Sequence, residues 1–113
     1  MSEAQTELHA LRTQLVERLN GLRDTSEITA DNRRPVELDQ TSVGRVSRMD
    51  AMQGQAMAVA TEQRRKDEAR RIEAAIARID EGEYGTCTAC GEDIAPKRLE
   101  ADPIVATCIR CAS

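Results

Sequence analysis

The chain has 113 residues, a net charge of −4, a pI of about 5.1 and one aromatic side chain, Tyr84. That length holds one domain, or a helical part plus a small module, and a composition this poor in aromatics argues against a large packed core. The acidic balance and the missing base-stacking rings disfavour a nucleic-acid binder, and no apolar run approaches the ~20 residues of a membrane span.

The first element in chain order is a helix over Glu3–Arg23. Leu8, Leu11, Leu15, Leu19 and Leu22 recur at spacings of three and four, a heptad-like stripe. Ser2 is placed to cap it, with Gln5 as the reciprocal partner. Met1 to Asn20 carries charges throughout and has no apolar core, so it does not read as a signal peptide. The chain therefore reads as cytoplasmic, where thiols stay reduced. His9, the lone histidine, reads as a surface residue rather than a ligand.

Asp24 to Leu38 has a loop composition, with Thr25, Ser26, Asp31, Asn32 and Pro35. Pro35 restricts Arg34 to extended conformations. Asp39, Thr41 or Ser42 then starts the next helix, which runs from about Gln40 to Glu81, with Gly44 and Gly54 as weak points. Such a helix is roughly 60 Å long and needs a partner. The first helix provides one, as an antiparallel hairpin with its tip at 24–38.

The long helix offers two apolar zones, Met49-Met52-Ala56-Val59 and Ala69-Ile72-Ile76-Ile79, on either side of a wholly polar Thr61–Glu68. A compact tip would set the leucines on the methionine zone; a tip that climbs along the helix would set them on the isoleucine zone. The basic stretch Arg64-Arg65-Lys66 with Arg70-Arg71 is interrupted by Asp67 and Glu68, and Glu62 is spaced to pair with Lys66. It reads as a solvated helix face.

From Gly82 the character changes. Cys87, Cys90, Cys108 and Cys111 form two C-x2-C pairs separated by seventeen residues. Two thiolates from each pair can close a tetrahedron around one structural zinc. Two disulfides are the rival reading, and reduced thiols disfavour it. All four ligand positions are cysteine, so no open position remains for catalysis. With no nucleophile set and no phosphate loop, the chain does not read as an enzyme. The expected architecture is mostly α: a two-helix coiled-coil hairpin over 1–82, then a four-cysteine zinc finger over 83–113.

The run Tyr84-Gly85-Thr86-Cys87-Thr88-Ala89-Cys90-Gly91, then Ile94 to Ala101, Pro103 and Cys108-Ile109-Arg110-Cys111, closely resembles the DksA/TraR zinc-finger family. The long helix, with Ile72-Glu73-Ala74-Ala75, is similar too, so the resemblance spans Val36 to Cys111. It implies a bacterial transcription regulator with a structural zinc. Such a protein binds RNA polymerase rather than DNA, its hairpin entering the secondary channel. The family's acidic tip pattern is half matched: Asp39 keeps the second aspartate and Ser42 follows, whereas Val36 and Thr41 depart. Asp39, Thr41 and Ser42 are the candidate partner-binding tip residues, with Asp39 as either a tip charge or a helix cap. Asp102 stands where longer members carry arginine, and the C-terminal helix of those members is missing, so a direct response to ppGpp is not expected. The competing reading is a coiled-coil interaction module that uses the leucine stripe as its binding surface and has no polymerase role.

Overall fold

The structure, a computed structural model, describes residues 2–34 and 45–112. Its elements are helix α1 (Glu3–Ile28), a single 3-10 turn (Ala30–Arg33), helix α2 (Arg45–Glu81) and the short helix α3 (Pro96–Ala101). α1 packs antiparallel on α2, and the whole extends over 67 Å.

α1 begins with the expected capping box. The Gln5 amide donates to Ser2 Oγ at 3.2 Å, and the Ser2 amide donates to Gln5 Oε1 at 3.1 Å. The helix then runs past the expected end at Arg23 to Ile28. The reason is visible in the side chains that looked like breakers. The Thr25 hydroxyl bonds back to the Gly21 carbonyl at 2.9 Å, and Thr29 to the Thr25 carbonyl at 2.7 Å, so both are satisfied within helical geometry. Ser26 turns inward and bonds Glu62. The chain leaves the helical region at Arg34, whose φ of −65° and ψ of 145° are what the following proline demands.

Leu15 and Leu19 are buried against Ile72, Ala75 and Ile104, with Leu11, Leu22, Ala69, Ile76 and Ile79 packed around them. The leucines therefore cover the isoleucine zone. The climbing arrangement is the one realised: Ala30–Arg33 lies along α2, and the Gln55 amide donates to the Arg34 carbonyl at 2.9 Å. Met49, Met52 and Val59 of the other zone are exposed. Exposed pairs such as Arg12–Asp80 at 2.7 Å and Arg23–Glu73 at 2.6 Å mark the antiparallel register; such pairs add little stability. Leu11, Leu15, Leu19 and Leu22 of the leucine stripe are thus used inside the chain rather than offered to a partner coil.

The polar stretch 61–68 departs from expectation. Glu62 is only 3% exposed and is not a solvated partner of Lys66. Its Oε1 accepts from the Ser26 hydroxyl, Arg33 lies 3.2 Å from its Oε2, and Arg65 approaches to 3.7 Å. The Ser26 hydrogen bond holds this carboxyl below its ordinary value of 4.5 against the cost of burial, helped by Arg33, Arg65 and Lys66. Elsewhere in the basic stretch, Arg70 pairs with Asp67 and Arg71 with Asp102.

Truncating the seam should be costly. Leu19→Ala is expected to lower stability by about 2–4 kcal/mol, and Leu15→Asp by more, because it places a charge in the apolar seam. Thermal melts followed by circular dichroism measure both. The melting temperature should not depend on protein concentration; a rise with concentration would place the seam between chains.

Candidate metal centre

α2 ends in a Schellman motif. The Glu83 amide reaches the Arg78 carbonyl at 2.8 Å and the Gly82 amide reaches Ile79 at 3.2 Å, with Gly82 at φ 76°. The chain then folds back on itself around the first cysteine pair. Thr86 and Asp93 form an isolated antiparallel bridge, the Ile94 amide donates to Gly85 at 2.7 Å, and the Cys87 amide to Glu92 at 2.7 Å. Gly91, at φ 78°, closes the knuckle by donating to the Cys87 carbonyl at 2.9 Å. The second pair makes a matching turn, Cys111 amide to Cys108 carbonyl at 3.0 Å. Thr88 donates to Ala106 at 2.9 Å and ties the two knuckles together.

The four sulfur atoms lie within 4.8 Å of one another, and Cys90 Sγ is 3.7 Å from Cys108 Sγ. A tetrahedral zinc with bonds of about 2.3 Å needs sulfurs about 3.8 Å apart, so the set fits that ion. Among the described residues this is the one cluster suited to a metal. His9 is exposed on α1 and belongs to no such cluster.

The electrostatics suit a dication. The Cys108 backbone amide, with those of Cys90 and Ala89, draws the Cys87 thiol down to about 6, and the Cys111 amide lowers Cys108. The sulfurs of Cys108, Cys90 and Cys87 push Cys111 up to about 12. At Cys90 the Glu92 amide favours the thiolate, but the Cys87 sulfur, burial and Cys108 outweigh it and raise the thiol. Four thiolates this close repel one another, and a +2 ion at their centre removes that conflict.

The finger has a core of its own. Cys87, Ile94, Val105 and Cys108 are buried, with Leu99 and Cys111 packed against them. Leu99 sits on α3, a helix not anticipated from the sequence; Pro96 at its first turn was the available signal. Residues 102–105 join the finger to the rod. Ile104 enters the α1–α2 seam, the Tyr84 hydroxyl donates to the Pro103 carbonyl at 2.9 Å, and Asp102 pairs with Arg71 at 3.2 Å. Asp102 Oδ1 also accepts from the Ile104 amide at 3.3 Å. Asp102, which stands where longer family members carry arginine, is thus a joint between finger and helix. Asp39, Thr41 and Ser42, the sequence-derived tip residues, lie outside the described residues.

Residues 82–113 match the model of the prokaryotic dksA/traR C4-type zinc finger. The chain is 43% identical over 42 residues to the RNA polymerase-binding transcription factor DksA of Haemophilus influenzae, a stretch covering 37% of this chain and 29% of that protein. It is 44% identical over 43 residues to an uncharacterized protein of Aquifex aeolicus, covering 38% and 30%. The chain thus matches under a third of the length of these curated relatives. A solved structure of transcription factor DksA2 from Pseudomonas aeruginosa superposes with a TM-score of 0.62 at 24% identity, covering 96% of this chain and 81% of that one. That likeness extends the shared fold along the helical rod.

Cys108→Ser is expected to lower zinc content and loosen residues 83–112 while most of the helical signal persists, because α1 and α2 keep their own seam. Metal analysis and circular dichroism on the purified variant check both parts. A strong chelator should reproduce the effect in the parent.

Proposed function

We propose that this chain is a DksA/TraR-type bacterial transcription regulator that binds RNA polymerase through the secondary channel rather than binding DNA. The observation that carries the reading is the pairing of a dksA/traR-type finger with a long, narrow antiparallel rod. A finger match alone would fit several partners. A rod that is one helix pair wide, bolted at its base to that finger, fits a narrow protein channel.

In this reading the protein divides into the hairpin, 1–82, and the finger, 83–113. Cys87, Cys90, Cys108 and Cys111 hold the zinc as thiolates, and the metal has a structural role because a four-sulfur set leaves no position for water or substrate. The rod contributes affinity along its length. Asp39, with Thr41 and Ser42, acts at the far end, where one carboxylate alters how the polymerase holds its metal, DNA or moving elements. Little direct response to ppGpp is expected because an aspartate, Asp102, stands where longer members carry arginine. The competing interaction-module reading loses its surface, since Leu15 and Leu19 are buried within the chain.

Asp39→Asn should leave polymerase affinity nearly unchanged and weaken the effect on transcription. Binding to purified polymerase and a promoter assay measure the two separately. Equal losses would make Asp39 a helix cap. Absence of binding by a folded, zinc-loaded protein would overturn the polymerase reading.

A further inference from the structure

We infer that Glu62 is a positioning residue for the tip: from the middle of α2 it clamps the chain that enters the tip, at Arg33, onto the rod. The functional half of this inference rests on the polymerase reading; the structural half stands without it.

Towards the tip, the apolar seam runs out. Leu22 is the last leucine of α1, and Ile28 beyond it is 81% exposed. Between Leu22 and Arg34 nothing apolar of any size holds the first strand of the rod to the second. A polar clasp takes over there. Glu62 accepts from Ser26 and pairs with Arg33. Arg33 in turn donates to the Ser26 carbonyl at 2.9 Å and to Thr29 Oγ1 at 3.0 Å, and Arg65 donates to Thr29 Oγ1 at 3.4 Å. The Gln55 amide then grips the carbonyls of Arg33 and Arg34, at 3.4 and 2.9 Å. One buried carboxylate therefore organises the end of α1, the 3-10 turn and α2 together.

The geometry separates holding from directing. Stability of the hairpin resides in the leucine–isoleucine seam, whereas the clasp sits beyond it, where the chain changes course. A buried ion pair of this kind is weak evidence for stability and is better attested as a device that selects one arrangement. Without the charge on Glu62, Arg33 loses its partner and the 3-10 turn can lift from α2. The Arg33 and Arg34 carbonyls then lose their fixed place against Gln55, and a tip charge acts only from a fixed place.

Limited trypsin digestion read by mass spectrometry tests the clasp, because the Arg33 side chain must leave Glu62 to enter the protease. Glu62→Gln should speed cleavage after Arg33 about ten-fold, while cleavage at sites between Leu11 and Leu22 stays at the parental rate. Gln55→Ala, which leaves Glu62 in place, should give a smaller rise and serves if Glu62→Gln does not fold. Helical signal and zinc content should match the parent. With purified polymerase, Glu62→Gln should bind within about two-fold of the parent yet lose most of its effect on transcription. Cleavage after Arg33 that is unchanged in both variants, or faster cleavage along the whole rod, overturns the clasp. A parent that does not bind polymerase overturns the polymerase reading, and the digestion still decides the clasp. Faster cleavage with an unchanged transcriptional effect overturns the positioning role.

Discussion

Ile104 belongs to the finger by sequence and to the rod by burial, and much of the molecule's coherence depends on that placement. It is 3% exposed and lies in one cluster with Leu15, Leu19, Ile72 and Ala75. A chain with one aromatic cannot build a broad core, so its apolar burial is concentrated in a narrow seam between two helices. Ile104 adds a third side to that seam from the finger, and the contacts of Asp102, Pro103 and Val105 with Arg71, Tyr84 and Arg78 surround it with polar bonds. The consequence is mechanical: the orientation of the finger is tied to the axis of the rod.

This arrangement also orders the energetics. The finger buries only Cys87, Ile94, Val105 and Cys108, with Leu99 and Cys111 beside them. A module that small draws part of its folding energy from the metal. The rod does not need the metal for its seam, but the finger lends that seam one buried side chain, Ile104. Each part thus supplies something the other lacks, while the larger share of the rod's apolar burial stays local to α1 and α2.

Much of this was legible in the sequence. The two C-x2-C pairs announced a four-sulfur cluster, and the leucine spacing announced a helix that needed a partner. Ser2 and Gln5 were readable as a capping box because that signal is local. What could not be read was non-local. Whether the leucines met the methionine or the isoleucine zone depended on how the tip segment ran, and no residue spacing encodes that. The end of α1 was misplaced because Thr25 and Ser26 are loop formers by composition; here their hydroxyls are used by Gly21 and by Glu62, the latter far away in sequence. Glu62 itself looked like one more charge in a solvated stretch. Its burial follows from Ser26 and Arg33 lying opposite, which only the hairpin brings about. Asp102 was weighed as an isolated charge, whereas Arg71 on α2 answers it.

Two joints along the rod therefore solve one problem in opposite ways. On the finger side, an isoleucine packs into the seam and polar contacts surround it. Towards the tip, the apolar residues on α2 face solvent and a carboxylate holds the approaching chain. An apolar contact is tolerant of small rotations, because dispersion and burial vary smoothly with position. A carboxylate that accepts from a serine and pairs with an arginine is satisfied in few arrangements, since a misplaced partner leaves a buried charge unpaired. A base that must stay attached is well served by the first kind of contact. A chain that must be led in one direction is better served by the second, and Glu62 makes that contact from the middle of α2.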